Sequence, residues 1–353
     1  MSQREPALVT PFWVRIATET SLSPGWLLIA FPAVLYPTYL LLEVLFGRGL
    51  AAAMDFAGDR GAWPAPVYAT TLGYIAMMYT YVARGTFRDL EAIRPVLSRG
   101  EAACVELRHQ FTQFERRRLW IGGVIGFAFG CVLYEIGSGP WVDRISAGQW
   151  SLRSLCNFLI FSAFWITAGR GTVYLVDAAR LYSRIGERQV SIDLLDLTPL
   201  SPLTRHVLRI VLLLVIITGT TVIPTVVGPK LSDAEVTFFF LSNLWNLPLA
   251  AAAFLLPVRG LRRQIRARKA EELARVREEI HRDRELAAKL GAESIEASAR
   301  LPGLLAFEKR IESVREWPFD APTLTRFFLY VAIPLGSWVG GALVERLLGA
   351  ALD

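Results

Sequence analysis

Cysteine, histidine and lysine are scarce in this 353-residue chain, and each scarcity removes a class of chemistry. The three cysteines, Cys104, Cys131 and Cys156, are far apart and form no CxxC pair, which argues against a disulfide framework and a thiolate metal site. The three histidines, His109, His206 and His281, show no HExxH or other ligand spacing. There is no GxSxG, no Walker A loop and no Rossmann glycine pattern, and no pair of carboxylates lies deep in an apolar run. Intramembrane protease, lipid-hydrolase and nucleotide-driven readings lose their support, so the expectation is a non-enzyme with no cofactor, no catalytic residue and no metal. Of the 38 basic residues only Lys230, Lys269, Lys289 and Lys309 are lysines.

Apolar residues are abundant. They make up 53% of the chain, and the mean hydropathy is +0.38. Such values fit a membrane protein better than a soluble one. The expected fold is all-α: a polytopic membrane helix bundle of about seven spans with cytoplasmic helical extensions. The spans are placed near 26–46, 66–83, 119–136, 155–177, 207–228, 236–257 and 324–345. The second is short and tyrosine-rich, and is the one that could be re-entrant. The first lacks an A-x-A exit and is expected to stay as an anchor.

Orientation follows from where Arg and Lys collect, because cytoplasmic flanks carry the excess. With the N-terminus inside, 31 of the 38 basic residues fall on the cytoplasmic side, six fall outside, and Arg170 lies within a span. The C-terminus is then outside, and the inner membrane is the expected location. The chain divides into a bundle over 1–257 with a cytoplasmic helical loop at 84–118, a charged helical hairpin at 258–323, and a final span at 324–353.

Three groups of residues could carry function. Spans five and six contain TGTTVIPT and SNLWNLP, which place Thr218, Thr220, Thr221, Asn243 and Asn246 at similar depth, with Asn243 and Asn246 on one face and Pro224 and Pro248 each freeing a backbone carbonyl one turn earlier. A broken or kinked helix pair lined by hydroxyls and amides is what a transport site requires, and Arg170 in span four could join it. Small-residue ladders, Gly122, Gly126 and Gly130 in span three and Ala332, Gly336 and Gly340 in span seven, permit close packing within the bundle or between subunits. Below span six, Arg259, Arg262, Arg263 and Arg266 form a basic cluster suited to anionic lipid headgroups.

The hairpin's arginines interleave with Glu271, Glu272, Glu278, Glu279, Asp283 and Glu285, the pattern of a solvated helix rather than of a nucleic-acid surface. The expected partners are therefore the lipid bilayer and further copies of the chain, with a cytoplasmic protein on the hairpin as the alternative and no nucleic acid. The leading expectation is a homo-oligomeric channel-like or transport protein with a polar path near spans five, six and seven. A membrane-embedded sensor or scaffold is the second.

Overall fold

Long apolar runs satisfy their backbone hydrogen bonds most simply as helices, and the chain is all-α apart from two two-residue strands among the described residues. The computed structural model describes residues 7–46, 49–55, 64–138, 152–220, 233–290 and 295–317, with 325 and 329. The helices are α1 (Phe12–Glu19), α2 (Gly25–Phe46), the single turn α3 (Leu50–Ala53), α4 (Pro64–Ile93), α5 (Gly100–Thr112) and α6 (Arg116–Ser138). After these come α7 (Leu152–Arg188), α8 (Ser201–Thr220), α9 (Asp233–Leu244), α10 (Asn246–Leu290) and α11 (Ile295–Ser313). Strands β1 (Leu8–Val9) and β2 (Phe114–Glu115) pair antiparallel and fasten the start of the chain to the foot of α6.

Five helical stretches are long and apolar enough to cross a membrane: α2, α6, α7, α8 and the run from α9 into α10. Apart from 325 and 329, the expected seventh span, with Ala332, Gly336 and Gly340, lies outside the described residues, as does Thr221.

The expected second span, α4, is not among the five, yet it packs against α1, α2, α7 and α8. Its polar groups explain both facts. They lower its hydropathy, but they bond to protein rather than facing lipid: Tyr74 donates to the Leu213 carbonyl at 2.8 Å, Tyr79 to the Ala168 carbonyl at 3.3 Å and Thr80 to the Ala76 carbonyl at 2.9 Å. A helix enclosed by other helices does not need a lipid-compatible surface.

Helices α6 and α7 cross at glycines. A Cβ on Gly126 would run into the Trp165 carbonyl, and one on Gly169 would run into the Gly122 carbonyl. The phenylalanine-rich α9 packs on α6.

The expected sixth span is interrupted. Helix α9 ends at Leu244, Trp245 is a turn, and α10 starts at Asn246. Pro248 accounts for the position, since a proline cannot bond to the carbonyl four residues earlier, here that of Leu244, and its ring crowds that oxygen. The break also removes the continuous helix on which Asn243 and Asn246 were expected to share a face. Pro248 thus sits in the first turn of a new helix instead of kinking an old one.

Beyond the apolar runs the helices continue into a second core. Leu90, Ile93, Leu107, Phe111, Ile185 and Leu261 are buried together there. Helix α10 extends without interruption into the charged segment and pairs with α11 around Val276, Ile280 and Ile311.

Candidate functional site

Two features occupy the space between α4, α7 and α8. The first is a cavity of about 70 Å³ beside the break at Trp245. Helix α4 contributes Tyr68, Thr71, Met78 and Tyr79, α7 contributes Phe161, Phe164, Trp165 and Thr172, and α8 contributes Leu214 and Ile217. Phe238 and Ser242 of α9, Trp245 itself, Asn246 and Leu249 of α10, and Ala168 of α7 also line it. The hydroxyls of Thr71, Thr172 and Ser242 donate to the carbonyls of Val67, Ala168 and Phe238 one turn back, at 2.7, 2.9 and 2.7 Å. Their remaining capacity is to accept. Thr172 does so from the Trp245 indole nitrogen at 3.1 Å, which ties the break to α7. No charged side chain among the described residues lines the cavity, and the wall offers ring faces, hydroxyl oxygens and one amide.

The residues expected to form a polar path are only partly brought together. The Asn246 amide donates to the Thr218 hydroxyl oxygen at 3.4 Å, and Thr218 donates to the Leu214 carbonyl at 2.9 Å. Thr220 is the last residue of α8, and Asn243 does not line the cavity.

Arg170 lies elsewhere. It packs against Gly123 of α6, where a Cβ would stand 3.2 Å from its Cγ, and its Nε is buried without a partner among the described residues. Asp177, the nearest carboxylate along α7, is taken by Arg118 at 2.6 Å and by Arg180 at 3.5 Å. The ladder of Gly122, Gly126 and Gly130 faces Val173, Gly169 and Trp165 of α7. In the basic cluster, Arg262 lies 4.7 Å from the Trp317 ring centre and Arg263 is 3.9 Å from Glu187, while Arg259 and Arg266 are exposed.

The second feature is a buried polar cluster further along the same three helices. Asp89 and Thr86 come from α4, Tyr182 from α7, and His206 and Arg209 from α8. Arg209 grips Asp89 with both terminal nitrogens, Nη1 to Oδ2 at 3.0 Å and Nη2 to Oδ1 at 3.4 Å. Gly85, one turn before Asp89, gives the guanidinium its seat, because a Cβ there would overlap it. His206 is fully buried and stacks on Tyr182 with ring centres 4.0 Å apart. Its Nδ1 is 3.5 Å from the Thr86 hydroxyl and 4.0 Å from Asp89 Oδ2. Burial pushes the Asp89 carboxyl above the usual carboxylate range, and the hydrogen bond and charge of Arg209 offset only part of that rise.

Sequence reasoning missed this cluster. Val82, Thr86, Asp89 and Ile93 recur at helical spacing and place the aspartate on the buried stripe of α4, while His206 and Arg209 at i,i+3 share a face of α8. The pairing across 120 residues carries no local mark.

Comparison with known proteins adds nothing to these geometries: no family model, no curated protein and no solved structure matches the chain.

Proposed function

We propose that the chain is a multi-pass membrane protein of the transport class, which admits a small uncharged solute to the cavity at the interruption between α9 and α10. The observation that carries this reading is the coincidence of three things: a helix broken at Trp245, a cavity beside the break, and the Asn246 to Thr218 contact at its edge. Discontinuous helices in membrane bundles free backbone and side-chain polar groups where a solute must be held and released. The neutral lining argues against an ion as cargo, since the charge would find no partner in a low-dielectric wall.

In the same reading the N-terminus faces the cytoplasm and the protein sits in the inner membrane, as the distribution of arginines supports. Arg259 and Arg266 meet anionic headgroups, and copies of the chain associate through Ala332, Gly336 and Gly340.

The test is osmotic. Proteoliposomes loaded with the full chain are challenged with gradients of urea, glycerol or erythritol, and their volume is followed by light scattering. Wild-type protein should speed equilibration of at least one solute over empty vesicles. Asn246→Leu, together with the cavity-filling Ala168→Leu, should lower that rate roughly tenfold while the protein remains folded by gel filtration. Equal rates in wild type and both variants would exclude the cavity as a path.

A further inference from the structure

The polar cluster takes no part in the neutral cavity, and it holds two potential cations against one carboxylate. Hydrogen-bond bookkeeping points to the tautomer of neutral His206. Thr86 donates its only hydroxyl proton to the Val82 carbonyl at 3.0 Å, so Nδ1 can meet the Thr86 oxygen only as a donor. In the neutral ring Nε2 then carries the lone pair, and it is buried with no partner among the described residues. On the other side of Asp89, Arg209 is 16% exposed and its guanidinium lies 5.8 Å from the ring centre of Tyr81, which is itself exposed. Arg209 thus has a second place to rest at the edge of the cluster, whereas His206 has none.

We propose that Asp89, His206 and Arg209 form a proton-binding site in which the one carboxylate serves two cations in turn. Arg209 holds Asp89 while His206 is neutral. A proton taken from water adds to the Nε2 lone pair, no other bond changes, and the resulting imidazolium turns its Nδ1 proton to Asp89 Oδ2 as Arg209 withdraws toward Tyr81. The separation to close is short, since Nδ1 already lies 4.0 Å from that oxygen.

The groups facing the site are few. Helix α4 supplies Thr86 and Asp89, with Arg88 on its exposed side; α7 supplies Tyr174 and Tyr182; α8 supplies Arg205 and Arg209. Asp89 is the only carboxylate among these described groups, and it is the one to which either cation turns. The proposal rests on this geometry and not on the transport reading.

Histidine-ring NMR tests it on the full chain in nanodiscs, because only three histidines are present and His109 and His281 are exposed references. His206 should bind its proton at least tenfold more tightly in Arg209→Gln than in wild type, and adding Asp89→Asn to that variant should cancel the gain. Gly85→Ala, which expels Arg209 without removing a titrating group, should reproduce the gain and covers the case in which Arg209→Gln fails to fold. A merely structural cluster would change stability but not this ordering. The proposal is overturned if His206 stays neutral down to pH 5 in all variants, if its affinity is unchanged by Arg209→Gln or Gly85→Ala, or if the gain persists without Asp89.

Discussion

Asp89 is the residue on which burial and charge act most directly against each other. Its carboxyl is almost wholly enclosed, and desolvation outweighs the paired guanidinium, so the folded protein holds this proton more tightly than the unfolded chain does. The sign of the pH dependence follows. Between the unfolded value of about 3.9 and the higher folded value, the native state binds more protons, so stability falls as pH rises through that window and is level above it. Thermal unfolding in nanodiscs between pH 4 and 7 should therefore show, with Asp89 intact, a midpoint that declines with pH relative to Asp89→Asn. Both proteins carry His206→Gln so that the carboxyl alone titrates in this cluster, and loss of the Arg209 partner lowers the variant's midpoint by an offset. A difference between the two proteins that does not vary with pH would mean that the carboxyl titrates normally.

Among the elements, the broken helix separates what the sequence could say from what it could not. Hydropathy located α2, α6, α7, α8 and the α9 to α10 run because lipid-compatible surface is a local property of each segment. The centrality of α4 was hidden because Tyr74, Tyr79 and Thr80 count as polar until their partners on α8, α7 and α4 itself are known. The glycines of α6 announced a close approach, but only the structure names α7 as the neighbour that uses it. Pro248 was legible as a disruption, a break or a kink, and the structure has the break, because its effect falls on the Leu244 carbonyl and a helix ends there. Replacing it should therefore act on the cavity. In Pro248→Ala the residue 248 amide can bond to Leu244, α9 and α10 tend to fuse, and Trp245 is pulled from Thr172. Solute-driven swelling should slow severalfold and the Trp245 environment should change in fluorescence. Unaltered emission and flux would show that the break is held by something other than the proline.

At the scale of the molecule, α10 joins the apolar bundle to the charged hairpin as one helix of 45 residues, about 68 Å long. The break at Trp245 and the hairpin thus share one helix, which carries Pro257 between them, and α11 is held on its far end. Two kinds of contact hold it there. Arg277 bonds Glu308 at 2.6 Å and Glu312 at 2.7 Å, and Lys269 caps the end of α11 through the Glu312 and Val314 carbonyls at 2.7 and 2.8 Å. Beneath them Ile311 is fully buried against Val276 and Ile280, with Leu304 and Phe307 alongside. The Arg277 side chain is 58% exposed, and ion pairs so open to water contribute little. Truncating a fully enclosed isoleucine costs about 2 to 5 kcal/mol. Ile311→Ala should thus raise amide exchange throughout α11 and along the facing turns of α10 near Val276, leaving α4 and α7 protected. Arg277→Ala should change exchange little, and that little should vanish at high salt. The reverse ranking would place the hold of α11 on α10 in its charges, and the hairpin would then respond to ionic strength.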